Sequence, residues 1–575
     1  MPLAITPILA LCGLLSGAAH AAEDDYEFEL EGYFRTRGYR FRSLTPEQDG
    51  VGNFMAMRLR VQPQINFQDR AKFFMMMDLM DDVVMGDNQS LLPASVFAQD
   101  PSYTRMEGQN QDFFQRSTEA PMVKRAWMEF KLPVGTMRVG RQESQWGMGI
   151  LSNAGNGFDD SFGENHYGST FDRVIFATSP TAIAHKIMKK KGKPAPFFVG
   201  VGVDRLVEDP LETYYGYQCA TKDEAGNAIQ RNLADGTRNP GYDPRCDTID
   251  GITQETGKDG YHDIEHDYTE PRDPSNRTDD WWVDRNDDAW EMVYLAIYRG
   301  EDVKMFGSTG DFTLGAYVID RQHVESDSRV QIYDAYLKFL WKGIYLEGEA
   351  VNIRGKSSGL ALPGTYDPAS ELPNPLYKDI NIWGWAGRTG YIKPEWQGIF
   401  EAGFAGGDDN VADSKFTGRN LHPDYNVGLL LYEEVLARVT ARSWSSGALP
   451  LWSNGGVWNS LYVFPNASIR PLDGLEITGA YLLAWPHKPD GTRIRCTKDD
   501  EKAMGIECAD PYDGDLAQEI GWETDLAIKY KFHKHVLVSS ETGYAQVSNR
   551  VPLENLGLNP DGKFFTSQVR VAYEF

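Results

Sequence analysis

Past its N-terminus, the 575-residue chain has no run of about 18 apolar residues, so it is not a helical membrane protein. Helix-length apolar stripes are almost absent, so helices do not carry the fold. Cysteine is scarce: Cys12 lies in the N-terminal apolar segment, leaving Cys219, Cys246, Cys496 and Cys508. Their spacings match no common zinc pattern. Bases are outnumbered by acids, 57 to 83, and a net charge of −26 gives nucleic acid nothing to bind. No phosphate-binding glycine pattern is present, and no nucleotide, redox or other cofactor is implied. Disorder throughout is excluded by a hydrophobic content of 41%.

One absence concerns the start. "ILALCGLLSGAA" is a short apolar core, followed by Ala19-His20-Ala21 as a small-x-small cleavage site, but no Lys or Arg precedes it. Residues 1–21 are expected to be an export signal cleaved after Ala21, or the start codon is misplaced. In an exported protein the four remaining cysteines fit two loop-closing disulfides, most simply Cys219–Cys246 and Cys496–Cys508, with the other two pairings left open.

What the chain has is alternation. In "MRLRVQPQINFQ" (57–68), Met57, Leu59, Val61, Pro63, Ile65 and Phe67 take one face of a strand, and Arg58, Arg60, Gln62, Gln64, Asn66 and Gln68 the other. "IGWETDLAIKYKF" (520–532) and "KFFTSQVRVAYEF" (563–575) repeat the pattern. Such runs exceed the ~5–6 residues usual for soluble strands and match the ~9–11 needed to cross a membrane. A strand can cross lipid only as part of a closed barrel, because every backbone group must be paired. About eighteen candidate strands, from 26–41 to 563–575, alternate between tight connections and long Gly/Asp-rich ones. That asymmetry predicts an all-β transmembrane antiparallel barrel over 22–575, with short periplasmic turns, long extracellular loops and both termini periplasmic. The long loops include 207–289, 406–456 and 486–518. Pro63 predicts a local irregularity. "VGLLLYEEVLARV" (427–439) has apolar spacing that looks more helical than extended, and an even strand count makes it a helix within a loop. The basic connection 179–196 is an unusually long periplasmic turn. Trp290, Trp341, Trp396, Trp485 and Trp522 lie near strand ends, where interfacial girdles belong.

At "KRAWMEFKLPVGTMRVGRQESQWGMGI" (124–150) the chain resembles a hairpin of proteobacterial outer-membrane porin-like barrels, nearest the eighteen-stranded alginate-export family. Phe575, with Tyr573, Val571 and Val569 at alternate positions, resembles the signal read by the barrel-assembly machinery. The resemblance implies an outer-membrane location, lipid and that machinery as partners, and an anionic, uronic-acid-bearing solute. Loop 207–289 is longer and more acidic than the family suggests.

By phase, Arg35, Arg37, Arg58, Arg60, Lys72, Arg125, Lys131 and Arg138 face the lumen and form a basic wall on the first five strands. Such a wall favours anions by electrostatic focusing. Glu27, Glu29, Glu31, Asp78 and Glu129 share those faces, and simple pairing is the competing reading. Later strands present Asp334, Lys338, Glu347, Glu349, Glu523, Asp525 and Lys529, a wall of mixed sign. "QWGMGILSNAGNGFDDSFGENHYGST" (145–170) either folds into the lumen as a constriction or caps the mouth. In the first case Asp159, Asp160 and Glu164 oppose the basic wall.

Residues 207–288 carry 21 acids against 8 bases, half the net charge. They form a divalent-binding or substrate-screening vestibule or, more plainly, a solvated surface loop. "DDWWVDRNDD" (279–288) could gather Ca²⁺ but lacks an ordered loop motif. "HDIEH" (262–266) formally matches an inverted zincin pattern, yet its turn-rich flanks offer no helix to aim both histidines at one metal. No metal site is expected. Together these features predict a passive porin for small anionic or carbohydrate-like solutes rather than an enzyme. The alternative is a surface-binding or enzymatic barrel working through its loops, though His166 and His323 have no obvious catalytic partner.

Overall fold

The computed structural model describes residues 26–44, 51–68, 70–86, 122–155, 161–165, 168–208, 289–305, 307–323, 328–357, 360, 378–409, 413–440, 453, 455–489, 518–548, 551 and 559–575. The export signal, the four cysteines, Asp159, Asp160, His166, the "HDIEH" and "DDWWVDRNDD" segments and most of 207–289 and 486–518 lie outside them.

Long alternating runs become long strands. In chain order they are β1 (Tyr26–Arg42), β2 (Val51–Phe67), β3 (Ala71–Gly86), β4 (Met122–Leu132), β5 (Gly135–Glu143), β6 (Thr170–Thr178), β7 (Phe197–Glu208), β8 (Ala289–Met305), β9 (Ser308–His323), β10 (Ser328–Trp341), β11 (Ile344–Ser357), β12 (Lys378–Ile392), β13 (Trp396–Ala405), β14 (Lys415–Phe416), β15 (Ser460–Leu472), β16 (Leu475–Pro486), β17 (Gly521–Phe532), β18 (Val536–Val547) and β19 (Lys563–Glu574). β14 is a two-residue piece paired parallel to β12. The other eighteen pair antiparallel with their neighbours, β13 with β15, and β1 closes the ring on β19. The cylinder is ~18 Å in radius. At the seam Phe575 and Gly32 exchange both backbone hydrogen bonds, at 3.0 and 3.1 Å. The C-terminal residue therefore completes the closure.

Pro63 keeps its place opposite Leu30 of β1, but pairing with β3 lapses across Gln62 and Pro63 and resumes at Gln64 opposite Phe74. Pro465 does the same in β15: it stands opposite Phe400, while the β16 ladder is interrupted between Val463 and Asn466. A residue without an N–H can serve only one side of a ladder.

Burial is inverted relative to a soluble protein. Leu314 is 52% and Val569 50% exposed, and Phe400, Leu526 and Tyr573 are alike, whereas Arg58 is 2% and Arg60 1% exposed. A continuous apolar belt of this kind far exceeds the few hundred Å² a soluble monomer tolerates, so the outer face requires lipid. Trp396 and Trp485 stand exposed at opposite ends of their strands, among Trp383, Trp385 and Tyr391 on the same belt. The basic connection 179–196 contains the helix α1 (Pro180–Ile187), capped by Ser179, whose hydroxyl accepts the Ala182 N–H at 3.3 Å. Within the segment 427–439 the chain becomes helical from Leu431, first as a π-helical stretch at Leu431–Leu436 and then as α-helix, after a turn at 428–430. This is an outer-membrane-type β-barrel.

Candidate functional site

Closure places β1, β2 and β19 side by side, and their register creates an electrostatic problem. Arg35 stands directly opposite Arg58, and Arg37 directly opposite Arg570. Like charges in directly opposed positions repel, so this wall needs carboxylates. One is Glu541 on β18, 3.3 Å from Arg570 and 3.5 Å from Arg37. The other is Glu164, which descends from the loop between β5 and β6. Its carboxylate lies 2.7 Å from Arg35 Nη2, 3.2 Å from Arg37 Nη1, 3.2 Å from Arg570 Nε and 3.9 Å from Arg58 Nη1. The preceding peptide is clasped as well: Gly163 N–H donates to Glu541 at 3.0 Å and its carbonyl accepts from Arg570 at 2.7 Å. The loop thus enters the lumen, and Glu164 opposes the basic wall.

The other expected basic residues divide into two groups. Arg60 forms a bidentate pair with Asp78 at 2.7 and 2.8 Å, and Arg125 donates to the Ala154 carbonyl of the loop. Both are buried. Nearer the periplasm the lumen is wetter. Arg138, its side chain 32% exposed, pairs with Glu129 at 2.8 Å and stacks 4.0 Å over Trp127, with Lys72 5.9 Å from the same ring. Lys131 is exposed at the end of β4. Pairing and a lumen-facing position therefore coexist.

The extracellular half is packed with apolar groups that alternation did not foretell. Tyr39, Phe41, Phe54, Val293, Ile319 and Phe464 point inward from the wall and meet Ile150, Phe162, Leu430 and Tyr432 of two inturned loops in one buried cluster. Both loops are anchored by one device. Glu349 of β11 accepts the N–H of Gly149 at 3.0 Å and that of Met148. Glu523 of β17 accepts those of Leu429, Leu430 and Leu431 at 2.6, 2.8 and 2.6 Å. Each carboxylate is approached through a glycine in the left-handed region, Gly147 (φ 54°) and Gly428 (φ 81°), where a Cβ would lie 2.4 and 2.9 Å from the carboxylate oxygen. Trp146 adds a 2.9 Å bond to Asp334 and stacks on Tyr317.

The loops are also stitched to each other, through an arrangement with the outline of a hydrolase triad. Ser169 Oγ lies 3.0 Å from His422 Nε2, and Asp424 Oδ2 lies 3.9 Å from His422 Nδ1. The proton positions run the wrong way. The Asp424 backbone N–H donates to Nδ1 at 3.1 Å, so Nδ1 is the acceptor and Nε2 carries the proton. Nε2 therefore donates to Ser169 and cannot take its proton, and the Asp424 carboxylate is occupied by Gly168 N–H at 2.7 Å. All three groups are buried. They tie the loops together. Sequence reasoning missed this set because its members lie 253 residues apart and join only when both loops turn inward.

No known family model and no curated protein matches the sequence. Among solved structures, the chain is similar to Acinetobacter baumannii OccAB3 at 9% identity and a TM-score of 0.45, covering 95% of this chain and 99% of that one. It is also similar to Pseudomonas aeruginosa OccK2 (OpdF) in complex with glucuronate, at 9% identity and a TM-score of 0.42 with 95% and 98% covered. For Pseudomonas aeruginosa OpdK with vanillate the values are 8%, 0.43, 95% and 98%.

Proposed function

We propose that the protein is an outer-membrane channel for passive passage of small anionic or carbohydrate-like solutes. The observation that carries this reading is the arginine cluster on β1, β2 and β19, set in the wall of a closed barrel whose periplasmic half is open to water. Lys72, Lys131 and Arg138 set cationic groups at the hydrated end, beside Glu129, and Arg35, Arg37, Arg58 and Arg570 continue the basic wall inward. The inturned loops set the width. Glucuronate and vanillate, carried by two of the similar structures, are carboxylates, as is the uronic-acid solute implied by the alginate-export resemblance of 124–150. The mechanism is electrostatic filtering, with no reaction and no cofactor. Export by residues 1–21, disulfides between the loop cysteines, and insertion through a C-terminal signal at Tyr573 and Phe575 belong to the same proposal.

The test is planar-bilayer conductance under a salt gradient. Wild type should prefer anions, and Lys72→Glu/Lys131→Glu should move the reversal potential toward cations. No conductance at all would reject the channel and favour a barrel that binds ligands at its surface.

A further inference from the structure

We propose that the connection between β6 and β7, with α1 and the lysines that follow it, docks on anionic phospholipid headgroups of the periplasmic leaflet. Residues 179–196 carry five lysines, Lys186, Lys189, Lys190, Lys191 and Lys193, and no Asp or Glu, in a chain whose net charge is −26. At the same rim the β4–β5 turn takes two residues and the β17–β18 turn three, whereas this connection takes eighteen. Joining two strands does not require that length. Other cations at the rim have partners: Lys531 pairs with Glu574 at 2.7 Å and Arg470 with Glu476 at 2.6 Å. None of the five ammonium groups has an ion pair or hydrogen bond among the described residues.

The lysine run is folded, not a loose tail. Lys190 N–H donates to the His185 carbonyl at 3.1 Å and Lys189 N–H to that of Lys186 at 3.3 Å, which holds the run at the C-terminal end of α1, where the helix dipole favours cations. The chain rejoins the barrel at Phe197, and a helix of eight residues spans only ~12 Å, so the lysines stay at the membrane surface. Among them Ile187 is 75% and Met188 53% exposed, and no large apolar side chain among the described residues is more exposed than Ile187. These two continue the lipid belt, which includes Val174 and, beside the end of β6, Val134, whose carbonyl accepts the Thr178 hydroxyl. Apolar side chains and lysines together make an interfacial anchor: the first enter the acyl boundary, while lysine stems lie along it and carry their ammonium groups to phosphate. Charge selects the lipid, since a zwitterionic headgroup offers no net attraction and an anionic one does. An acidic protein would also meet the lysines, but the tether at both ends keeps them against the bilayer, where phosphate is already present.

The experiment uses the full chain reconstituted in phosphatidylcholine bilayers, with spin-labelled phosphatidylglycerol and spin-labelled phosphatidylcholine as probes. Wild type should hold the phosphatidylglycerol probe in its motionally restricted lipid shell at least two-fold more strongly than the phosphatidylcholine probe, and added salt should reduce the preference. Lys186→Gln/Lys189→Gln/Lys190→Gln/Lys191→Gln/Lys193→Gln should bring the ratio close to one, and Ile187→Gln/Met188→Gln should lower it partway. Lys342→Gln/Lys393→Gln, elsewhere on the rim, should leave most of it. Heat-modifiable electrophoretic mobility confirms that each variant is a closed barrel. No preference in wild type, or a preference that survives loss of the five lysines in a folded barrel, overturns the proposal. So does protection of α1 from trypsin by polyglutamate in neutral bilayers where phosphatidylglycerol gives none, which would assign this face to an acidic protein. None of these readings depends on whether the barrel conducts.

Discussion

Glu523, on the inner face of β17, accepts the Leu430 backbone N–H at 2.8 Å and holds the start of a helix inside the barrel. The first N–H groups of a helix have no partner within it, and a carboxylate answers both that need and the positive end of the helix dipole. Glu523→Ala would strand three buried donors, each costing about 1–3 kcal/mol if no water reaches it. The expected result is undocking of 417–440 in a barrel that remains closed, measured as new protease cleavage in that segment and higher single-channel conductance. Glu523→Gln keeps one acceptor oxygen and should lie between.

Gly428→Ala attacks the same anchor from the other side. The left-handed backbone costs a non-glycine residue about 1–2 kcal/mol, and the new methyl must also displace the Glu523 carboxylate. Combined with Glu523→Ala, the two effects should be well short of additive, because once the carboxylate is gone only the backbone strain remains. A double-mutant cycle on thermal unfolding in detergent checks this. Full additivity would mean that Gly428 and Glu523 do not act as one anchor.

The outer surface of this barrel was legible in sequence, because lipid imposes a period-two rule on every strand it touches. Arg58 and Arg60 point inward and Ile65 and Phe67 do not, as "MRLRVQPQINFQ" indicates. Phase puts Arg35 and Arg37 on one inner row, but whether Glu164 opposes them depends on the 145–170 loop turning inward, which the sequence leaves open. What the pattern did not convey is that the inward face changes character along its length. Tyr39 and Phe41 follow Arg35 and Arg37 on the same inner row of β1, and alternation alone does not say whether such residues meet water or another segment. That depends on loops turning back into the lumen, and Glu349, Glu523 and His422 acquire their roles only then. Asp159 and Asp160, proposed with Glu164, fall outside the described residues.

Ser169 should be inert as a nucleophile. Its hydroxyl is buried and accepts from a histidine whose basic nitrogen is already committed to the Asp424 N–H. A fluorophosphonate probe should leave the folded protein unlabelled under conditions that label an active serine hydrolase. Ser169→Ala should cost about 1 kcal/mol of stability through the lost hydrogen bond. Labelling that disappears in Ser169→Ala would reinstate the enzymatic barrel.

Glu434 supplies a pH dependence whose sign can be worked out. It sits in the inturned helix, outside the spanning strands, 3.0 Å from Arg438. Burial pushes its carboxyl up from 4.5 to about 7, and the Arg438 guanidinium offsets only part of that rise. The folded protein therefore holds this proton more tightly than the unfolded chain. The resulting stabilisation is complete below about pH 4.5, declines as pH rises, and is gone above about 7. The docked loop should accordingly be firmer at pH 5 than at pH 8. Other groups titrate over that range, so the informative quantity is a difference: the fall in thermal midpoint from pH 5 to pH 8 in wild type minus that in Glu434→Gln. It should be positive, since the amide carries no proton to lose. An equal fall in both proteins would show that Glu434 is ionised throughout and that its pairing with Arg438 outweighs burial.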